Sequence, residues 1–310
     1  MMRGPRCQKG VAAIVAILIV ALAASSATYL IARYSLALRH VENVTDRAQA
    51  DQLARTAVQW VASILNQDKD RAADHLFEIW ALPLPPIPAE DATVEGRIFD
   101  EQGKFNLNNL VQQGKSSAQD VATLERLFAA LKVDPRLIDA LIDWIDENED
   151  VTQPQGAEST SYLGLQVPYR AANTKLTDVG ELARIKGFDQ DVIEKLLPFV
   201  TALPRQTKVN INTVSAELLQ AIAPALSDED AKQIIAKRTK DKRSLAREDV
   251  VSRLPKDVQE AVGNMIDIRS EFFSAAGMVR RGRVVAGYRA LLERGSGKQT
   301  SVIALTEEPI

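Results

Sequence analysis

The chain has 310 residues, room for about two domains, and its 46% hydrophobic and 25% charged residues exclude a disordered chain. A net charge of −3 supplies no positive field of the kind a phosphate-backbone binder needs, although a local basic patch is not excluded. One cysteine, Cys7, and two distant histidines, His40 and His75, leave no material for a disulfide and little for a His-rich metal site or a Ser-His-Asp triad.

Arg3, Arg6 and Lys9 precede an uncharged run, residues 11–32, of the length that crosses a bilayer as a helix. Basic residues without acids on that side predict a cytoplasmic N-terminus and an exported remainder. The competing reading is a secretory signal peptide. Against it stand the length of the run and a helical pattern that continues past it. Val41, Val44, Ala48, Leu53, Ala57, Trp60 and Ile64 recur mostly in steps of three and four. One helix is therefore predicted from residue 11 to about 66, on the order of 80 Å long. Its transmembrane half is 11–34. Its amphipathic half, 35–66, is expected to lie on a sheet.

Residues 82–88 carry four prolines and are predicted to be an extended linker. Residues 93–99 alternate and meet the turn signal Asp100-Glu101-Gln102-Gly103, with 104–107 as the return strand of a hairpin. Residues 117–267 read as helices at 118–131, 135–145, 176–184, 190–199, 215–222, 228–239 and 247–252. Asp134 and Ser227 supply capping side chains. Residues 272–279, 284–294 and 300–305, divided by glycine-containing turns, read as a three-stranded antiparallel meander. Strands on both sides of a helical block predict an α+β fold. Residues 67–116 and 268–310 would form one α/β domain, interrupted by an inserted all-α domain at 117–267. Three consecutive small domains are the alternative.

One loop carries possible metal chemistry. Asp146, Asn148 and Asp150 alternate as oxygen donors, Thr152 can offer its carbonyl, and Glu158 follows Gly156 at a distance a loop could fold back. This is the ligand logic of calcium loops, although the EF-hand pattern fails at Val151, where glycine is needed, and Glu158 comes one residue late. The competing reading is a solvated acidic helix end, which the helix dipole disfavours unless a cation is bound. Magnesium fits less well because it tolerates few protein carboxylates.

Residues 209–219 and 230–238 resemble helix-hairpin-helix units of DNA uptake proteins, as do residues 177–199. Ala223-Pro224-Ala225-Leu226 lacks the hairpin glycines through which such units approach phosphate, and the other unit has only Gly187. Lys232, Lys237, Arg238, Lys240, Lys242 and Arg243 form a basic stretch hemmed by acids, which reads as a solvated face. Asp139, Asp143 and Asp146 share a helical face, but no nucleophile, phosphate loop or dinucleotide fingerprint accompanies them. No enzyme is expected.

Lys9-Gly10 before an apolar helix resembles the leader of type IV pilins and type II secretion pseudopilins. Leu141-Ile142-Asp143-Trp144-Ile145-Asp146, Gly156-Ala157-Glu158, Pro168-Tyr169-Arg170-Ala171-Ala172-Asn173 and Val209-Asn210-Ile211-Asn212-Thr213 extend the likeness in order along the chain. Together they resemble the minor pseudopilins of the protein K type. The resemblance implies a pilin-like sheet and helix-hairpin-helix or SAM-like units in the inserted domain. It implies a leader, residues 1–10, cut between Gly10 and Val11 by a prepilin peptidase, with N-methylation of Val11. Loss of three basic residues would then take the charge from −3 to −6. It implies calcium bound by Asp146, Asn148, Asp150, Thr152 and Glu158, although Ser159 stands where many members carry another acid. Most pilin-like chains carry glutamate at the fifth mature position, where it neutralises a neighbour's N-terminal ammonium; here that residue is Val15. A buried ammonium without a partner is costly, so Val15 marks a subunit with none above it.

The expected function is that of a structural protein at the pseudopilus tip, supporting export of folded proteins across the outer membrane. Its expected partners are the I and J minor pseudopilins, the major pseudopilin, the peptidase and the inner-membrane secretion platform. The chain would be single-pass in the inner membrane with its bulk in the periplasm. The alternative is a membrane-anchored helix-hairpin-helix nucleic-acid binder of a competence or type IV pilus system. Absent hairpin glycines and Val15 argue against it.

Overall fold

A computed structural model describes residues 9–68, 71–89, 91–241, 244–295 and 299–308. Leader residues 1–8, Lys242 and Arg243 lie outside the described residues.

A single helix, α1 (Lys9–Gln67), runs through 59 residues. After Gly10 it contains neither proline nor glycine, so nothing interrupts its hydrogen-bond ladder. Its most apolar window has a mean hydropathy of 2.4 and is wholly exposed; by length and composition it can cross a membrane. Farther along, Ala50, Ala54, Val58, Val61 and Leu65 are buried against a sheet. This stripe lies beside the one predicted: Leu53 and Ile64 are only partly buried and Trp60 stays 43% exposed. Alanines at 50 and 54 are the reason, since small side chains let that face approach the sheet most closely.

The sheet has five antiparallel strands, β1 (Leu84–Ala89), β2 (Ala92–Asp100), β3 (Phe272–Arg281), β4 (Val284–Glu293) and β5 (Ser301–Glu308). They lie in chain order across it. β2 and β3 pair from Ala92↔Arg281 to Asp100↔Phe273, although residues 101–271 separate them in sequence. That intervening stretch carries many helices and, where an all-α block was expected, three short two-stranded ladders; it has its own core, from Phe105 through Leu124, Phe128, Leu141, Leu196 and Ile211 to Ile266. The expected α+β architecture, with a helical block between sheet strands, is the one observed.

Three local expectations are corrected. The proline-rich linker is strand β1, paired with β2 through Ile87↔Val94 and Ala89↔Ala92. It occupies a sheet edge, where missing proline N–H groups break no ladder. The hairpin at 93–107 does not form. Asp100 Oδ1 accepts from Gln102 N–H at 2.8 Å and starts a 3₁₀ turn, Glu101–Gly103. Phe105–Asn106 then pairs in parallel with Val200–Thr201 inside the helical part. Finally, the helix expected at 176–184 is a 3₁₀ helix, Val179–Arg184, whose start is fixed by Asp178 accepting from Gly180 N–H. Helices at Ser159–Leu163 and Lys256–Met265 escaped the periodicity reading.

Candidate functional site

The acidic loop follows α2 (Leu137–Ile145), an amphipathic helix whose inner face buries Ile138, Leu141, Ile142 and Trp144. Because Asp143 falls on the buried side, the fold commits a carboxylate to the interior at 0% exposure. It folds the loop back on itself: Thr152 N–H donates to Asp143 Oδ1 at 3.0 Å. Gly156 N–H donates to the Thr152 carbonyl at 2.7 Å, and a Cβ at Gly156 would collide with Asp143 Oδ2 and that carbonyl. Asp146 Oδ1 accepts from Asn148 N–H at 3.2 Å, and Asn148 Oδ1 from Asp150 N–H at 2.6 Å, successive Asx turns that set the alternation of oxygens.

This closure carries Glu158 into the site. It is 1% exposed, and neither carboxylate oxygen has a hydrogen-bond donor. Burial, with the charges of Asp143, Asp146 and Glu149, pushes its carboxyl up to about 7. Asp146 is raised as well, by burial first. Asn148 and Asp150 are exposed and Thr152 half-buried.

Sequence reading missed three participants. Asp143 reads in the sequence as one of three acids, with Asp139 and Asp146, that share a helical face. Glu149 accepts from Ser159 Oγ at 3.1 Å. Asn173, at φ 44°, donates from Nδ2 to the Asn148 carbonyl at 2.9 Å and keeps a buried Oδ1 with no donor. Only the low-propensity backbone at Asn173 could have flagged it, and φ is not legible in sequence. Orphaned buried acceptors beside several carboxylates are what a bound hard cation would satisfy. The donor set therefore fits calcium chemically. The carboxylates around Glu158 are more widely spaced than those of Asp68, Asp74 and Glu78, which bring ligand atoms within 4.8 Å of one another elsewhere in the chain.

Residues 209–219 have a structural role. Asn212 bridges both main-chain groups of Leu245, accepting from its N–H at 2.6 Å and donating to its carbonyl at 3.3 Å. Arg238 is 5% exposed and donates from Nη1 to the carbonyls of Ile211 (3.0 Å) and Val214 (3.1 Å). Lys232 pairs with Asp228 at 2.6 Å. The basic stretch thus loses its central arginine to the interior. Gly187 does adopt φ 89° as a hairpin residue, but its Cα faces Leu137. At the N-terminus, Gly10 and Val11 lie in the first turn of α1, and Val15 is 49% exposed on its surface.

A membrane-length helix whose distal half lies on an antiparallel sheet defines a pilin-like chain. Comparison with known proteins narrows this. Family models for type II secretion system protein K match residues 103–205 and 209–254. The chain is 36% identical over 230 residues to type II secretion system protein K of Pseudomonas aeruginosa, covering 70% of this chain and 68% of that one. It is 30% identical over 305 residues to the Klebsiella pneumoniae protein, covering 93% of each. It is 29% identical over 315 residues to that of Aeromonas hydrophila, covering 94% and 95%. A chain in the crystal structure of the GspK-GspI-GspJ complex from enterotoxigenic Escherichia coli shares the fold, with a TM-score of 0.73 at 24% identity over 87% of this chain. The chain belongs to the type II secretion system protein K family, the minor pseudopilins.

Proposed function

We propose that this minor pseudopilin works at the tip of the pseudopilus as a structural rather than catalytic subunit. The observation that carries this reading is α1, an exposed apolar half continuous with a half that seats a sheet. Gly10 would be the last leader residue, and Val11 the new, methylated N-terminus released by prepilin peptidase. The bulk would lie in the periplasm, single-pass from the inner membrane. Val15 offers no carboxylate to the ammonium of a subunit above it, which suits a terminal position. The I and J minor pseudopilins, the major pseudopilin and the secretion platform are the corresponding partners. The solved relative was crystallised with GspI and GspJ. The division into a pilin-like unit and an inserted unit belongs to the same reading, with the inserted unit starting after Asp100 rather than at the expected residue 117, because Phe105, Leu107 and Leu110 pack in the helical core. Mass spectrometry of the membrane form tests it: the N-terminus should be Val11 plus one methyl. A chain beginning at Met1, or cut within residues 24–27, would overturn it.

Calcium is proposed at the acidic loop. Asp146, Asn148, Asp150, the Thr152 carbonyl and Glu158 are its ligands, with Asp143 holding the loop and Asn173 Oδ1 within the same cluster. Bound there, the ion supplies the positive charge that the buried Glu158 carboxylate lacks. Chelator should lower the melting temperature of the full chain and calcium should restore it. An unchanged melt on both additions would remove calcium from the reading.

A further inference from the structure

Residues 168–173, Pro-Tyr-Arg-Ala-Ala-Asn, cross the surface of the helical part outside any helix or ladder. Their burial alternates as a strand's does. Tyr169 and Asn173 are half-buried and Ala171 is buried, while Pro168, Arg170 and Ala172 are exposed. Among the described residues, no main-chain N–H or carbonyl of this stretch has a hydrogen-bond partner. A main-chain polar group without a partner is costly unless water reaches it, so these groups face solvent.

The stretch is nonetheless fixed in place by its inward side chains. Tyr169 stacks on Tyr162 with ring centroids 5.2 Å apart, and its hydroxyl donates to the Arg184 carbonyl at 2.8 Å. It also meets Trp144 edge-on at 6.3 Å. Ala171 belongs to the helical core. Asn173 donates from Nδ2 to the Asn148 carbonyl at 2.9 Å and, at φ 44°, turns the chain out of the extended conformation. The outcome is a short, preordered row of free main-chain donors and acceptors, anchored near both ends. Such a row is a template for a second extended chain.

The surroundings narrow the occupant. Leu163, Leu165 and Val167, just before the stretch, are exposed apolar side chains, Val167 at 76%. They suit apolar cover. The far end lies against the acidic loop through the Asn173–Asn148 bond. There Glu147 and Glu149, which are not among the proposed calcium ligands, are exposed and have no ion-pair partner among the described residues. They call for positive charge.

We propose that residues 168–173 are a docking edge for an extended segment of a partner protein, which adds to them as a strand. Main-chain groups pair with main-chain groups, apolar side chains of the segment cover Leu163, Leu165 and Val167, and a basic residue meets Glu147 and Glu149. A helix cannot fill this role, because its own main-chain groups are already paired along its axis. The inference goes beyond the pseudopilin reading and uses neither the tip position nor calcium.

Hydrogen exchange at single-amide resolution tests this on the full chain in detergent, with a short capped peptide of alternating valine and threonine that ends in lysine as the probe. Pairing engages every second residue along the shared edge. Protection should therefore rise by about tenfold or more at Tyr169 and Ala171, or else at Arg170 and Ala172, but not at both pairs. N-methylation of alternate residues of the peptide removes donors from one of its edges only. One of the two N-methylated peptides should lose binding and the other should keep it. A peptide ending in glutamate should bind about threefold more weakly or worse. Absent or uniform protection, N-methylated peptides that bind alike, or a glutamate peptide that binds as well as the lysine one overturns the docking edge.

Discussion

At the scale of single residues, Gly156 and Glu158 show how tightly the acidic loop is closed. A methyl at Gly156 meets two oxygens that cannot yield, the buried Asp143 carboxylate and the Thr152 carbonyl. Gly156→Ala should therefore cost about 1–3 kcal/mol, measured by urea denaturation, and should blunt the calcium-dependent rise in melting temperature. The alternation of Asp146, Asn148 and Asp150 leaves a trace in sequence, and the structure shows it as successive Asx turns. Asp143 and Asn173 leave no such trace. One is defined by which side of a helix faces inward, the other by a backbone angle. Arg238 carries the opposite lesson: a cation in a basic run reads as surface, yet its guanidinium is consumed by two main-chain carbonyls.

At the scale of elements, the segment after α1 is pinned by Trp80. It is 2% exposed and meets Phe273 of β3 edge-on, with ring centroids 5.2 Å apart. Its Nε1 donates to Glu78. Trp80→Ala should cost about 3–5 kcal/mol and should lower the midpoint of thermal unfolding followed by circular dichroism. The long helix and the three C-terminal strands were legible because their periodicities run over many residues. β1 was not, since proline composition describes only its backbone's freedom and not the strand beside it. The failed hairpin has a similar cause. Asp100-Glu101-Gln102-Gly103 is a turn, but its exit leads to Val200–Thr201, a partner some hundred residues away that no local pattern can announce.

For the whole molecule, the pH response follows from the sign of the shifts. Glu78, Glu158 and Asp100 are all held above the ordinary carboxylate range, to about 7, 7 and 6. In each case the folded state binds its proton more tightly than the unfolded chain does. Their contribution is therefore full in acid and is lost as pH rises through 6–7. Glu101 moves the other way, burial's upward push being outweighed by Lys104 and Ser274, but a lowered carboxylate titrates well below this window. Net stability in chelator should fall between pH 6 and pH 8, seen as a lower melting temperature. Calcium should remove the share that belongs to Glu158. A rise over that interval would contradict the assignment of these three groups.

The unbroken run of α1 has a mechanical meaning. At 59 residues it is a rod of about 88 Å, without a proline or glycine hinge beyond Gly10 at which it could buckle. Its last five turns are glued to the sheet by Ala50, Ala54, Val58, Val61 and Leu65. A thrust delivered at the membrane end has no compliant joint in which to dissipate. It reaches the sheet through the buried stripe that seats the rod there.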